Sequence, residues 1–385
     1  MRKVAIVGVG HSRFGDRRDV NLPELAFEAA KPAFEDANLT SKDVDFLSVG
    51  TAGGWYEEFL PAVVVSEYLG LSGKGLVRCE AACASGSAAV ATAYNTIASG
   101  QNDVAMAVGI EKMTEVDTLT AVELIGRAGY YLWEFHNFGM TFPGYYALHA
   151  TAHMKKFGTT EEQLAEVAVK NHKYGSMNPY AHLQRAIKID DVLSSRMVAW
   201  PLKLYDCSPI SDGAAAIILA SEEKAKSLTD SPVWIEAIGT SSDTANISKR
   251  SGYTGLEATV IASEKAFKRA NVGPDQFDVA DVHDCFTIAE LLAYEDLGFC
   301  ERGEGGKMID EGQTEIGGKI PVNVDGGLKA KGHPIGATGV SMMVGLTRQL
   351  RKQAGKTQVP IKNGLALAHN VGGTGHYCYV TVLRS

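Results

Sequence analysis

The stretch Ala33–Val49 (AFEDANLTSKDVDFLSV) recurs without a gap as Ala266–Val282 (AFKRANVGPDQFDVADV). Six of the seventeen aligned positions are identical, whereas average composition predicts about one match by chance. Each copy has the pattern of an amphipathic helix that ends at Asn, then a short turn, then an apolar strand. The sequence therefore predicts two related α/β halves produced by duplication.

The similarity continues outward from these copies with altered spacing. Asn102–Val108 (NDVAMAV) is similar to Asn363–His369 (NGLALAH), and both patterns predict a buried strand. Between these two similar segments, each half has a turn of glycine and small residues that precedes a predicted helix. The turn is Cys83-Ala-Ser-Gly86 in the first half and His333-Pro-Ile-Gly336 in the second. We expect the two equivalent helix N-termini to face one centre. A duplication retained for packing alone, without shared chemistry, is the alternative.

The duplication divides the chain into three parts. Residues 1–117 and 198–228 are predicted to form the N-terminal half, and residues 229–385 the C-terminal half. Residues 118–197 differ in character, because they are rich in aromatic side chains that include Phe142 and Tyr145. Within them, Thr159-Thr-Glu-Glu162 has the pattern of a capping box before a helix. We expect an inserted loop domain that lies over the mouth of a site.

Composition excludes several classes of protein. The 385 residues are 45 % hydrophobic with a formal net charge of −8, which argues against a general nucleic-acid binder. Six scattered cysteines without a CxxC pair fit a reducing compartment and predict neither a disulfide framework nor a metal site. No run approaches the roughly eighteen apolar residues that span a bilayer. We expect a soluble, cytoplasmic protein.

Two candidate catalytic residues lie at the equivalent helix starts. Cys83 precedes a predicted helix, where the positive end of the helix dipole favours the thiolate; a small cysteine packed in the core is the alternative. His333 has glycines on both sides, and Pro334 fits a first helical turn. Its imidazole could take a thiol proton or donate to an oxyanion, and a histidine with a structural role in a turn is the alternative.

Two further candidate segments lie at the ends of predicted strands. Ligand-binding groups of α/β sheets are commonly found at strand ends. In His283-Asp-Cys-Phe286, His283 and Cys285 are two residues apart and would share one side of an extended chain. The segment His369-Asn-Val-Gly-Gly-Thr-Gly375 could expose backbone N–H groups to an anion. Val7-Gly-Val-Gly10 lacks the third glycine of a dinucleotide fingerprint, because Arg13 stands there. No nicotinamide site is predicted.

Together these segments resemble the thiolase family over nearly the whole chain. The resemblance is carried by Cys83–Gly86, Gly109-Ile-Glu-Lys-Met113, Ser208–Ala216, His283-Asp-Cys-Phe286, Gly332-His-Pro-Ile-Gly-Ala-Thr-Gly339 and the final glycine-rich strand. The His-Asp-Cys-Phe motif is similar to that of the archaeal and sterol-carrier-protein-type thiolases. The resemblance implies a five-layered α/β/α/β/α fold, built from two duplicated halves with an inserted loop domain.

The resemblance also implies an activity: acetyl-CoA C-acetyltransferase, which condenses two acetyl-CoA to acetoacetyl-CoA and CoA or runs the reverse thiolysis. No metal or dissociable cofactor is required. Cys83 would be the acyl-accepting nucleophile, and its own N–H would form one oxyanion hole with an N–H near Val371. His333 would activate Cys83 and would form a second hole with His283.

Other residues would bind substrate or move protons. Ser208 and Phe286 would line the pantetheine channel, and Phe142 and Tyr145 of the inserted domain are further candidates for substrate contact. Better-known thiolases keep an acid/base cysteine in a Cys-x-Gly motif on the last strand, where His369-Asn-Val stands here. In the subgroup that carries His-Asp-Cys-Phe, the cysteine of this motif has the acid/base role instead. Cys285 is therefore the predicted acid/base, and His369 is a candidate helper.

The resemblance implies partners as well. Relatives form homodimers or homotetramers, and archaeal ones resemble subunits of a complex with a small zinc-ribbon/OB-fold protein and hydroxymethylglutaryl-CoA synthase. A longer-chain 3-ketoacyl-CoA thiolase, a ketoacyl synthase or a hydroxymethylglutaryl-CoA synthase is the nearest alternative function. A non-catalytic acyl-CoA-binding or scaffold subunit, or a thiolase-like retro-aldolase, is the alternative from another class, and the presence of Cys83 argues against both.

Overall fold

A computed structural model describes residues 2–385. The strands are β1 (Val4–His11), β2 (Phe46–Gly50), β3 (Gly75–Cys79), β4 (Val104–Glu111), β5 (Met197–Ala199), β6 (Leu202–Lys203), β7 (Gly213–Ser221), β8 (Val233–Ser242), β9 (Val279–Asp281), β10 (Leu365–Gly372) and β11 (Tyr377–Arg384). The helices are α1 (Leu22–Ala37), α2 (Pro61–Tyr68), α3 (Ser85–Ala98), α4 (Thr118–Gly126), α5 (Phe142–Phe157), α6 (Glu161–Gly175), α7 (Ile189–Leu193), α8 (Glu222–Leu228), α9 (Glu257–Ala270), α10 (Thr287–Asp296), α11 (Gly305–Asp310) and α12 (Thr338–Leu350).

Nine of the strands form one mixed sheet in the order β3-β2-β4-β7-β1-β8-β11-β10-β9. The order is mirrored about its middle, because β1, β7, β4 and β2 correspond to β8, β11, β10 and β9. The halves meet where β1 and β8 pair antiparallel through Ala5–Trp234 and Ile6–Val233. The duplicated halves are therefore hydrogen-bonded edge to edge.

Helices cover both outer faces and fill the space between the halves. Helix α1 packs on β1, β4 and β7, and α9 packs on β8 and β11. Helices α3 and α12 contact each other, and α12 also contacts strands of both halves. Along β1 the side chains alternate, with Ile6 in the central core and Ala5 in the core under α1. The layers run α/β/α/β/α, which confirms the predicted fold.

Two pairs of residues that are identical between the copies have the same structural roles. Asn38 and Asn271 each end a helix in the left-handed conformation, with φ of 51° and 53°, which asparagine tolerates better than most residues. Asp45 accepts hydrogen bonds from N–H groups at the start of β4, and Asp278 accepts them at the start of β10. The predicted duplication is thus confirmed down to single side chains.

Residues 118–197 form α4 to α7 with connecting turns, although the exact limits of the three predicted parts remain a prediction. The capping box lies one residue later than predicted, because Thr160 and Gln163 form it. Thr159 is buried and instead hydrogen-bonds Nδ1 of His153 at 2.6 Å. Among the helices that the structure describes, none combines the length and apolarity needed to cross a bilayer.

Candidate active site

Glycines allow the starts of α3 and α12 to meet at backbone contact distance. A β-carbon on Gly86 would lie 2.7 Å from the carbonyl oxygen of Gly336, and one on Gly109 would lie 2.5 Å from the same oxygen. Real β-carbons do not approach a carbonyl oxygen this closely, so these positions require glycine. The close contact brings the turn that carries Cys83 against the turn that carries His333.

Cys83 lies in a short 3-10 turn, Ala82–Ala84, immediately before α3. Its neighbour Ala82 has φ of 50°, a strained conformation for alanine that costs about 1 kcal/mol and that is common beside functional groups. Burial raises the pKa of the Cys83 thiol to about 12, although the N–H groups of Gly373 and of Cys83 itself lower it. The helix start was predicted to favour the thiolate, but burial outweighs it. Cys83 therefore needs a base.

Two imidazoles lie beside that thiol. The sulfur of Cys83 and one ring nitrogen each of His283 and His333 lie within 4.8 Å of one another. The two rings are 5.1 Å apart at 78°. Burial lowers the pKa of His333 to about 3, and burial together with His333 and His369 holds the pKa of His283 well below its ordinary value. Both imidazoles are neutral at physiological pH.

The hydroxyl of Thr338 fixes which nitrogen of His333 is free. Thr338 Oγ1 lies 3.0 Å from the carbonyl oxygen of Pro334 and donates its single proton there. It therefore accepts from Nδ1–H of His333, at 2.7 Å. Nε2 of His333 is buried, has no hydrogen-bond partner among residues 2–385, and presents a lone pair. The helix itself begins only at Thr338, so His333 and Pro334 lie in the preceding turn rather than in its first turn.

Asp284, the carboxylate of the His-Asp-Cys-Phe motif, has a structural role. It is fully buried and accepts from the N–H of Leu328 at 2.7 Å and of Lys329 at 3.1 Å, and from the side-chain amide of Asn171 at 2.7 Å. Leu328 and Lys329 belong to the turn that leads to His333. Asp284 thus ties the segment of His283 and Cys285 to the segment of His333, a role that the sequence did not reveal.

Cys285 faces the same cavity as Cys83. Burial raises its pKa well above the ordinary value; a hydrogen bond from Tyr146 acts in the opposite direction, while the charges of Cys83 and Asp284 raise the pKa further. The ring of Tyr146 stacks on Phe286 with centroids 4.7 Å apart. Sequence analysis missed Tyr146, although its spacing of four residues from Phe142 on a helix is a usable signal.

The cavity has a volume of about 510 Å³ and is mostly apolar, as expected for a site that holds a thioester and its pantetheine arm. Cys83, Cys285 and His333 line its inner end, and Ser208, Phe286 and Phe142 line its wall. The N–H of Ser208 donates to the carbonyl oxygen of Cys285 at 2.9 Å. Val122, Leu124, Ile125, Arg127 and Ala128 of the inserted stretch also line the cavity, and Arg127 and Arg196 supply positive charge there.

His283 lies beside Cys83 and His333 but does not line the cavity, and three further predicted residues also lie outside its wall. Tyr145 is buried, with its ring edge-on to Phe142 and its hydroxyl against Gly129 rather than in the cavity wall. His369 lies inside β10, with Nε2 3.0 Å from Thr259 Oγ1 and Nδ1 3.5 Å from the N–H of His283. Val371 pairs with Cys378 within the sheet. The N–H that acts on the Cys83 sulfur is that of Gly373, two residues beyond Val371.

A buried thiol lies beside two neutral imidazoles, and a second thiol lines the same apolar cavity. This arrangement is typical of a cysteine-dependent acyltransferase. The Cys83 sulfur and the ring nitrogens of His283 and His333 are also close enough together to bind an added soft metal ion, which would block the sulfur.

Comparison with known proteins identifies the family. Residues 4–223 match the model described as "Thiolase, N-terminal domain", and residues 239–385 match "Thiolase C-terminal domain-like". The chain therefore belongs to the thiolase family.

Individual relatives agree with this assignment. The chain is 44 % identical to an acetyl-CoA acetyltransferase of Methanothermobacter thermautotrophicus, over 97 % of each chain. It is 35 % identical to sterol carrier protein 2 of Bos taurus, over 96 % of this chain and 70 % of the bovine one. Among solved structures, an Ltp2-ChsH2(DUF35) aldolase superposes with a TM-score of 0.85 at 27 % identity, over 100 % of this chain and 98 % of the other.

Proposed function

We propose that the protein is an acetyl-CoA C-acetyltransferase that works through an acetyl-Cys83 intermediate. It condenses two acetyl-CoA to acetoacetyl-CoA and CoA, and it catalyses thiolysis in reverse. The observation that carries the proposal is that Cys83, His333 and Cys285 line a single apolar cavity, with His283 beside Cys83 and His333. The similarity to archaeal acetyl-CoA acetyltransferases supports the choice of substrate.

In the first half-reaction the Cys83 thiol gives its proton to Nε2 of His333 while the sulfur attacks the thioester carbonyl. The N–H groups of Cys83 and Gly373, which takes the place predicted for Val371, stabilise the tetrahedral oxyanion. Collapse of the intermediate releases the CoA thiolate, which takes the proton of the Cys285 thiol and leaves as free CoA. Cys83 is then acetylated, and the Cys285 thiolate and the His333 imidazolium remain as a pair whose opposite charges offset the desolvation that keeps both groups neutral in the free protein.

In the second half-reaction the Cys285 thiolate removes an α proton from a second acetyl-CoA. Its raised pKa makes it a strong base for this weak carbon acid. His333 and His283 stabilise the enolate oxygen. The enolate carbon attacks acetyl-Cys83 to give acetoacetyl-CoA, and the Cys83 sulfur that departs recovers its proton from His333. All protons are accounted for, and no metal or redox cofactor is involved.

An assay of condensation and thiolysis tests this function. The purified chain should form acetoacetyl-CoA from acetyl-CoA and cleave it in the presence of CoA. Cys83→Ala should abolish both activities, whereas Cys79→Ala, at another buried cysteine four residues away, should retain them. Full activity of Cys83→Ala would contradict the proposal.

Chain length and reaction class separate the alternatives. Thiolysis rates for 3-ketoacyl-CoAs of increasing length should fall beyond acetoacetyl-CoA, and a maximum at longer chains would favour the longer-chain thiolase. A chain that binds acyl-CoA without becoming acylated would instead be a scaffold subunit. A retro-aldolase is a candidate because of the similarity to the Ltp2-ChsH2(DUF35) aldolase, and it would cleave a β-hydroxyacyl-CoA without acylation of Cys83.

Assembly is the second part of the proposal. We propose a homodimer that pairs through the edge strand β3, or a homotetramer built from two such dimers. Exposed apolar residues just before α2, beside β3, support this: Phe59 is 87 % exposed and Leu60 59 %. A zinc-ribbon/OB-fold protein and hydroxymethylglutaryl-CoA synthase are proposed further partners in the cytoplasm, where they would pass acetoacetyl-CoA onward. The similarity to the Ltp2-ChsH2(DUF35) aldolase, whose name includes a second component, supports a partner protein of some kind.

A further inference from the structure

One amide side chain connects the nucleophile to an imidazole of the opposite half. Asn370 is buried on β10. Its Nδ2 lies 3.1 Å from the carbonyl oxygen of Cys83 and 3.2 Å from Nδ1 of His283. Its Oδ1 lies 2.8 Å from Oγ of Ser87, on α3. No sequence motif assigns a role to Asn370, and the proposed mechanism does not use it.

These contacts determine the orientation of the amide. The carbonyl oxygen of Cys83 can only accept, so the atom of Asn370 that faces it must be the NH₂ group. The hydroxyl of Ser87 then donates to Oδ1. The amide nitrogen has two protons, and the second of these is directed at Nδ1 of His283. Nδ1 of His283 must therefore be the unprotonated nitrogen.

The remaining nitrogen of His283 is consequently a donor. Its ring is neutral, so the single proton is on Nε2. That atom is buried and has no hydrogen-bond partner in the described part of the chain. A buried donor without a partner is costly and points to a ligand atom that is absent from the free protein. His333 has the opposite tautomer, because Thr338 accepts from its Nδ1–H.

We propose that Asn370 is a positioning residue that fixes His283 in its Nε2–H tautomer, so that His283 donates to the enolate oxygen without being charged. This inference rests on the proposed function, in which His283 stabilises the enolate. Thr338 and Asn370 thereby give two adjacent imidazoles different tasks: His333 begins as an acceptor and His283 as a donor. The same amide also donates to the carbonyl oxygen of Cys83. It therefore fixes the position of the Cys83 nucleophile relative to the His283 donor of the other half.

Spectroscopy of the unmodified protein tests the tautomer directly. In protein labelled with ¹⁵N-histidine, the resonances of His283 are assigned by their loss in His283→Ala. Nδ1 should give the shift of an unprotonated nitrogen and Nε2 that of a protonated one throughout about pH 6 to 9, a range within which an ordinary histidine passes through its pKa. A protonated Nδ1 with an unprotonated Nε2 would overturn the proposal, whether or not the protein is a thiolase.

Asn370→Asp tests the consequence for catalysis with almost no change in shape. A carboxylate cannot donate, so it accepts from Nδ1–H of His283 and leaves a lone pair on Nε2, facing the enolate oxygen. Condensation should fall by about 100-fold, the usual effect of losing one oxyanion donor. Adding one proton to the Asp–His pair restores Nε2–H, so activity relative to the parent should recover as pH falls. The groups that face His283, namely His333, His369 and Cys83, are present in both proteins.

Two controls separate this role from a general structural one. Asn102→Asp introduces the same charge before β4, away from the site, and should leave the pH profile unchanged. In a His283→Ala background, Asn370→Asp should cost about 10-fold at most, because only its hydrogen bond to the carbonyl oxygen of Cys83 is then left to lose. Equal losses in both backgrounds, or an Asn370→Asp profile parallel to that of the parent, would contradict the proposal. Formation of acetyl-Cys83 is measured in each variant, so failure of the proposed function is recognised separately.

Discussion

At the residue level, Cys83 and Cys285 show how one side-chain type can serve two tasks in one cavity. Burial raises the pKa of both thiols. Cys83 adjoins N–H groups and two imidazoles, which suit it to carry an acyl group, whereas Cys285 adjoins the hydroxyl of Tyr146. Their neighbours rather than their intrinsic reactivity distinguish nucleophile from base.

The reactivity of Cys83 should depend on pH in a specific way. A pKa raised to about 12 for Cys83, and one lowered to about 3 for His333, mean a neutral thiol and a neutral imidazole across the physiological range. The thiolate fraction should therefore rise about tenfold per pH unit between about pH 6 and 9. We expect the logarithm of the iodoacetamide labelling rate of the Cys83 peptide, followed by mass spectrometry, to rise linearly. A plateau above about pH 7 would instead indicate a thiolate–imidazolium pair.

The sequence predicted which residues meet at the site better than it predicted their electrostatics. Cys83, His283, Cys285 and His333 could be selected from their motifs, because local turns and strand ends place them. The depth of burial that controls the pKa of Cys83 depends on packing between the two halves, which no local pattern reports. The Thr338 and Asn370 contacts, which set the two tautomers, likewise join residues that only the fold brings together.

At the level of elements, the decisive contact is the close approach of α3 and α12. Helix α3 follows Cys83 and α12 follows His333, so the distance between these helices sets the distance between sulfur and base. Gly86, Gly109 and Gly336 keep that distance short. The repeated glycines of both motifs could be read from the sequence, but their contact with each other could not.

Gly86→Ala should therefore both destabilise the fold and separate the catalytic pair. Its β-carbon would lie 2.7 Å from the carbonyl oxygen of Gly336, and overpacking of this kind costs about 1–3 kcal/mol. We expect a lower free energy of unfolding in urea and slower acylation of Cys83. Gly252→Ala is the matched control, because a β-carbon there meets no atom within 4 Å. Equal stability of the two variants would show that α3 can move without cost.

At the level of the whole molecule, the duplication predicts the layers but not how the halves join. Each copy of the repeat predicts a helix, a turn and a strand in that order, and the structure contains these elements in both halves. The pairing of β1 with β8, and the direction in which Tyr145 points from α5, depend on contacts between distant segments. These are the features that the sequence left undetermined.

The proposed dimer gives a prediction at this scale. Leu60→Asp places a charge in the exposed apolar surface beside β3 and should shift the protein from dimer to monomer in light scattering coupled to size-exclusion chromatography, because an unpaired charge in an apolar interface is costly. Phe138→Asp, at a position that is 75 % exposed in the inserted stretch, should leave the mass unchanged. A dimer that persists in Leu60→Asp would place the interface elsewhere.

The division of labour between the two thiols is tested most directly by Cys285→Ala incubated with acetyl-CoA in deuterated water. Mass spectrometry should find the acetyl group on the Cys83 peptide, because the departing CoA thiolate can take its proton from the His333 imidazolium in the variant. The methyl group of acetyl-CoA should gain no deuterium, and no acetoacetyl-CoA should form. The parent protein should show all three changes. Deuterium uptake and condensation at the parent rate in Cys285→Ala, or an acetyl group on a peptide other than that of Cys83, would contradict the account.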